Sequence, residues 1–299
     1  MYDFYKEYEK CSLCARGCLV NRAVGKTGIC GVTDRIKVAR ASLHFWEEPV
    51  LSGERGSGTI FFSGCSLGCI YCQNRDISHG GVGKEITLDR LAEIMTELET
   101  KGAHNINFVT PTHYAPSVVG AVSLARKNGL SIPIVYNTSS YESEKTVDAL
   151  DGSVDVYLAD LKYHLSETAA KYSKCANYPD VAKLAIKKMV EQKGRAEIEN
   201  SLMKSGVIVR ILLLPGHLAE AKLCCSYLLG EYGDDIYLSL MSQYTPPSDM
   251  PSPLNRRVTR YEYEQLCDYA LKKGLKNGFV QEGESASESF IPDFDFTGI

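Results

Sequence analysis

The sequence predicts an α/β fold built as an incomplete (β/α)6 barrel, preceded by a small cysteine-rich metal-binding lobe. Three observations carry that expectation. From residue 59 onward, six short apolar runs alternate with six amphipathic stretches. A hydrophobic fraction of 44% over 299 residues can bury a large core. The first 50 residues hold four cysteines and show no such alternation. Strand–helix units in series imply a parallel sheet with right-handed crossovers. Six units leave a barrel short of the usual eight. A doubly wound open sheet is the alternative, because periodicity does not say whether the sheet closes. In both, ligands gather at the carboxyl ends of the strands.

The elements follow in order. Thr59-Ile-Phe-Phe-Ser63 reads as the first strand, and Leu88, Leu91, Met95 and Leu98 then mark one face of a helix. Ile106-Asn-Phe-Val109 is the second strand, with a helix over 117–128. Ile132-Pro-Ile-Val-Tyr136 is the third, followed by a helical 143–150. Val154-Asp-Val-Tyr-Leu158 is the fourth, with helical segments across 166–193. Val207 to Leu214 is the fifth, with a helix over 217–230, and Ile236-Tyr-Leu-Ser-Leu240 is the sixth, with a helix over 260–273. The glycines at 53, 56 and 58 precede a strand instead of following one, so they read as a linker and not as a phosphate loop. The chain thus divides into a lobe over 1–50, a barrel over 51–281 and an acidic tail over 282–299. That tail has five carboxylates and no Lys or Arg. It reads as flexible, with Phe290, Phe294 and Phe296 available to dock it on a surface.

Composition excludes several function classes. A net charge of −4 offers a nucleic acid little. No apolar run approaches the roughly 20 residues that span a bilayer. The polar start lacks the apolar stretch of a secretory signal, so a cytoplasmic location is expected. Eleven cysteines is the abnormal number. An odd count in such a setting argues for metal ligands over a disulfide scaffold.

Three thiols stand at C-x3-C-x2-C in Cys65-Ser-Leu-Gly-Cys69-Ile-Tyr-Cys72, directly after the first strand. Thiolates are soft ligands suited to zinc or iron–sulfur clusters. A closed structural zinc site wants four ligands, whereas three on a four-iron cluster leave one iron open. A zinc knuckle completed by His79 is the competing reading. With Tyr71 before the third cysteine, the motif resembles the signature of the radical S-adenosylmethionine (radical SAM) superfamily. The resemblance implies a [4Fe–4S] cluster on Cys65, Cys69 and Cys72, whose open iron chelates S-adenosylmethionine. Reductive cleavage then gives a 5′-deoxyadenosyl radical that abstracts a substrate hydrogen. A flavodoxin or ferredoxin-type protein is the implied electron donor.

Other strand ends extend the resemblance. Family members usually hold the amino group of the cosubstrate with a Gly-Gly-Glu-like stretch after the second strand. This chain has Val109-Thr-Pro-Thr-His113 instead, so Thr110, Thr112 or His113 would substitute. Asn137-Thr-Ser139 resembles the turn that contacts the methionyl carboxylate. Asp160-Leu-Lys162 matches an Asp-x-Lys element of glycyl-radical activating enzymes, and Arg210 sits in a strand-Pro-Gly pattern of the same enzymes. A charged residue in a buried strand needs a partner. For Arg210 a bound carboxylate or an internal salt bridge would serve equally. Gln243 and Tyr244 follow the sixth strand, where they could touch adenosine or substrate. The nearest branch implied is the PflX-type relatives of pyruvate formate-lyase activating enzyme, on the stretches 40–49, 56–64 and 109–113.

Cys11, Cys14, Cys18 and Cys30 form C-x2-C-x3-C-x11-C, a set that can close a second metal centre, zinc or iron–sulfur. Cys224, Cys225 and Cys267 fall in apolar helical patterns and read as packing residues, as does Cys175. Three functions remain in view. The first is activation of a glycyl radical enzyme by hydrogen abstraction from a protein glycine. The second is radical modification of a peptide or small molecule. The third is a non-catalytic iron–sulfur or zinc protein for electron transfer or binding.

Overall fold

The β-branched and aromatic runs become strands whose side chains alternate between two faces. The computed structural model describes residues 3–79, 81–280 and 292–299. The strands are β1 (Ile36–His44), β2 (Ser57–Phe62), β3 (Lys84–Ile86), β4 (Ile106–Val109), β5 (Ile134–Thr138), β6 (Val156–Asp160), β7 (Glu197–Glu199), β8 (Leu202–Leu212), β9 (Tyr237–Met241) and β10 (Gly278–Val280). The helices are α1 (Pro49–Ser52), α2 (Arg75–Ser78), α3 (Leu88–Thr100), α4 (Ala115–Lys127), α5 (Glu144–Leu150), α6 (Ser166–Ser173), α7 (Tyr178–Lys193), α8 (Leu218–Tyr232) and α9 (Arg260–Lys272).

The sheet runs β10-β9-β8-β6-β5-β4-β2-β1-β3, parallel from β10 to β2 and antiparallel where β1 joins β2 and β3. It is open, with β3 and β10 at its edges. All six strands expected from the sequence are present, each with its helix. The sheet also gains β1 from within the first 50 residues and β10 beyond the sixth unit.

Alternation along the strands separates core from site. Ile60 and Phe62 of β2, Phe108 of β4, Tyr136 of β5, Tyr157 of β6 and Val209 of β8 face the helices and are buried. The intervening residues face the other side. Near the carboxyl ends these are Val109, Asn137, Arg210, Leu212, Ser239 and Met241, and all of them line one large cavity. A period of two thus puts apolar groups under the helices and polar groups into the cavity.

Residues 292–299 lie along β1. Phe296 donates its N–H to the Ala39 carbonyl, and Ala41 donates to Thr297. The Phe294 ring meets Phe61 edge-on at 5.6 Å, and Asp295 pairs with Arg40 at 2.8 Å. A register shift in β1 between Val38 and Arg40 frees these backbone groups from the ladder. The docking that the sequence allows for Phe294 and Phe296 is therefore found over 292–299, while the tail residues before Pro292 lie outside the described residues. Phe290 lies outside the described residues.

Candidate active site

Chain direction at the end of β2 sets the site. Gly64 has φ +92°, which few side chains tolerate. A Cβ there would come within 2.7 Å of the Cys30 carbonyl and of Val32. The next residue is Cys65. Cys65, Cys69 and Cys72 all reach the wall of a cavity of about 990 Å³, and its lining includes no fourth cysteine. Each sulfur has a donor nearby. Leu67 offers its N–H to Cys65 at 3.4 Å, Ser173 its hydroxyl to Cys69 at 2.9 Å, and Ser78 its hydroxyl to Cys72 at 3.3 Å. Burial, helped by the neighbouring Cys72 and Cys69, pushes the Cys65 thiol up to about 12.

Tyr71 is packed edge-on by Tyr163, Tyr172 and Tyr244, with centroids 6.2 to 6.4 Å away. Tyr163 donates its hydroxyl to that of Tyr71 at 2.8 Å. This aromatic collar fixes the residue between the second and third thiols. The loop is also gripped from outside by Arg16, which lies between Cys14 and Cys18. Its guanidinium donates to the carbonyls of Ser66, Leu67, Ser173 and Lys174, at 2.9 to 3.1 Å.

The same cavity holds a charged network. Arg210 donates to Asp160 at 2.8 Å and to Asn137 at 2.7 Å, and approaches Glu47 at 3.5 Å. Lys162 meets the other Asp160 oxygen at 2.6 Å. Of the two partners the sequence allows for Arg210, the structure has the internal salt bridge. Burial works against a charge on Asp160, but Arg210 and Lys162 outweigh it and hold its carboxyl below the usual value. Burial lifts Glu47 and Glu48 above theirs, against the pull of Arg210. Glu48 Oε2 is buried with no partner among the described residues, and Glu48 lines the cavity.

Most of the residues singled out in the sequence converge here. Tyr71, Thr110, Asn137, Ser139, Asp160, Lys162, Arg210 and Gln243 line this cavity beside the three cysteines. Thr110 holds a left-handed backbone at φ +57° and donates its N–H to the Asn137 carbonyl. Tyr244 stands behind Tyr71, fully buried, and bonds to the Leu254 carbonyl. Besides Tyr244, two more residues do not reach the cavity. The short turn at Thr112–Tyr114 carries the His113 ring the other way, where its Nε2 donates to the Ser63 carbonyl at 2.8 Å. Thr112 bonds to the buried Glu142 at 2.6 Å. Cys11, Cys14, Cys18 and Cys30 line a separate, small cavity together with His113. Glu47, Glu48 and Trp46 are lining residues that the strand-end rule does not reach, since they precede α1. The run Trp46-Glu-Glu-Pro49 was their one signal.

A family profile for the radical SAM superfamily matches residues 59–220, which spans β2 to α8 and contains the thiol triplet. The chain belongs to the radical SAM superfamily. An uncharacterized protein of Methanocaldococcus jannaschii, MJ0674, is 32% identical over 288 residues, covering 90% of this chain and 76% of that protein. Among solved structures, anSMEcpe with bound AdoMet and a Kp18Cys peptide is similar in fold, with TM-score 0.52 and 12% identity. That likeness covers 72% of this chain and 60% of anSMEcpe. A domain of a pyruvate-formate lyase-activating enzyme from Bacteroides vulgatus ATCC 8482 is 16% identical, with TM-score 0.42, covering 56% of this chain and 92% of that domain.

The family implies a [4Fe–4S] cluster and S-adenosylmethionine, and the residues present fit both. Three thiols without a fourth suit a cluster with one open iron. The cavity volume stands at the upper end of the range for small-molecule sites, on the order of 300–1,000 Å³. No helix among the described residues is long and apolar enough to cross a membrane.

Proposed function

We propose that this radical SAM enzyme is of the activating type, abstracting hydrogen from a glycine of a partner glycyl radical enzyme, and that it stands in the PflX-type branch. The observation that carries this reading is the Asp160–Lys162–Arg210 network lining the same cavity as the three thiols. When bound, the cluster and S-adenosylmethionine supply a 5′-deoxyadenosyl radical. The chain's own residues bind and orient. Cys65, Cys69 and Cys72 hold the cluster. Asn137 and Ser139 would orient the methionyl carboxylate, and Lys162 would pair with it. Thr110 offers its hydroxyl to the amino group. Arg210 and Asp160 hold that constellation in one geometry, and the collar around Tyr71 fixes the loop that bears the thiols.

A flavodoxin or ferredoxin-type protein is the electron donor in this reading, and reduced thiols suit the cytoplasm. The lobe over 1–50, the core over 51–281 and the tail over 282–299 are its divisions in this reading, with β1 of the first joined to the core sheet and residues 292–299 of the last packed on it. Glu48 favours a second reading, radical modification of a peptide or small molecule that bears a cation. Its unpartnered oxygen is an acceptor that an ammonium or guanidinium would satisfy. The bound peptide named for anSMEcpe makes that class worth testing.

Anaerobic protein reduced with dithionite and mixed with S-adenosylmethionine should yield 5′-deoxyadenosine; none would remove the enzyme reading altogether. Adding candidate glycyl radical enzymes should then give an organic radical signal by electron paramagnetic resonance. Turnover without that signal, with a mass change in a cationic peptide, would replace the first reading with the second.

A further inference from the structure

The four N-terminal cysteines lie outside the chemistry of the large cavity. Cys11, Cys14 and Cys18 come from one stretch of chain and Cys30 from another, and all four line a single cavity of about 10 Å³. Leu19, just after Cys18, returns its N–H to the Cys11 carbonyl, and Cys11 donates to Val20, so the first three thiols sit on one closed loop. The Cys30 carbonyl packs where a Gly64 side chain would stand.

Arg22 gives the second, independent observation. It is fully buried, with 0% of its surface exposed. Its partners among the described residues are the carbonyls of Val32, Thr33 and His113, and the sulfur of Cys11 at 3.8 Å. The Tyr8 and Tyr114 rings lie beside it at 4.9 and 5.7 Å. None of these carries a full negative charge when the thiols are protonated. A buried cation in that state is costly. His113 gives a third observation. Since a carbonyl only accepts, Nε2 carries the proton toward Ser63, which leaves Nδ1 a bare lone pair. Nδ1 is buried with no partner among the described residues, and His113 lines the same cavity as the thiols.

We propose that Cys11, Cys14, Cys18 and Cys30 hold a second metal centre, separate from the catalytic cluster, with Arg22 as its compensating cation. Four thiolates around Zn²⁺ or around a [4Fe–4S]²⁺ cubane both carry a net charge of −2, and a buried guanidinium offsets half of it. Binding draws the sulfurs inward around the small cavity. Arg16 and His113 then connect the centre to the catalytic loop, through the carbonyls of Ser66, Leu67 and Ser63.

The full chain with Cys65→Ala, Cys69→Ala and Cys72→Ala, purified without oxygen, tests this by metal and sulfide analysis and X-ray absorption. Either about one zinc with sulfur scatterers near 2.3 Å, or about four irons with matching sulfide, supports the centre and identifies it. Where that variant fails to fold, the intact chain reads the same point, as about one zinc beside four irons or about eight irons. Metal well below one equivalent, or an oxygen-dominated shell, overturns the proposal. Arg22→Gln should weaken retention against a competing chelator by roughly tenfold, and Arg22→Lys should restore part of it. Unchanged retention in Arg22→Gln overturns the role of Arg22.

Discussion

At the scale of single residues, the site rests on charges that cannot be removed singly. Arg210 has three partners and a side chain 13% exposed, so Arg210→Met leaves Asp160 and Glu47 buried with less compensation. We expect a loss of about 3–5 kcal/mol in urea unfolding and at least about a tenfold fall in 5′-deoxyadenosine formation. A variant that keeps both would show that the network neither stabilises nor positions. His44 gives a pH signature. Burial, and then Arg40, lower its imidazole to about 4, so the folded chain keeps it neutral where an unfolded chain would protonate it near pH ~6.5. Its contribution is complete above that value and is lost as pH falls toward the folded one. His44→Gln should flatten stability against pH over that interval, and a curve of unchanged slope would contradict the assignment. At Gly64, a side chain would meet the Cys30 carbonyl while the backbone stayed at positive φ. Gly64→Ala should therefore lower the iron retained after reconstitution. Much of this was legible in the sequence because it is local. The spacing of Cys65, Cys69 and Cys72 and the position of Asp160 at a strand end need no knowledge of distant chain. The placing of Glu48 in the cavity wall and the turning of His113 away from it depend on contacts across the fold, and only the run Trp46-Glu-Glu-Pro49 marks the first.

At the scale of elements, period and length decided what could be foreseen. Strands such as β4 and β6 are apolar on the helix side and flanked by amphipathic helices, so both neighbours announce them. β3 and β10 are three residues each, too short to show a period. β1 was hidden because Lys37, Arg40 and Ser42 interrupt its apolar residues, and the last residues of the chain pack alongside it. Helix α9 shows how an element is tied to the site's frame. Thr259 and Glu262 form a reciprocal cap, and Glu262 also accepts from Arg256 and from the Gly216 N–H after β8. Thr259→Ala should cost about 1 kcal/mol by urea titration. Glu262→Ala should cost more, because the loop after β8 loses its anchor as well; equal losses would reduce Glu262 to a capping residue.

At the scale of the whole molecule, distant segments complete one another. Residues 292–299 cover Phe61 and supply partners to the irregular stretch of β1, and Pro292 reaches the cavity wall. Deleting 292–299 should speed amide hydrogen exchange at residues 39–41 several-fold. Unaltered exchange there would mean that the segment only rests on the surface. Arg16 spans farther still, joining Leu67 across 51 positions and Lys174 across 158. On a ribosome those partners emerge at different times. The stretch between Leu67 and Lys174 takes on the order of ten seconds to synthesise. For that interval the three thiols ride on a loop still missing its far clasp. The clasp on the thiol loop thus closes only once the carbonyls of residues 173 and 174 have been made.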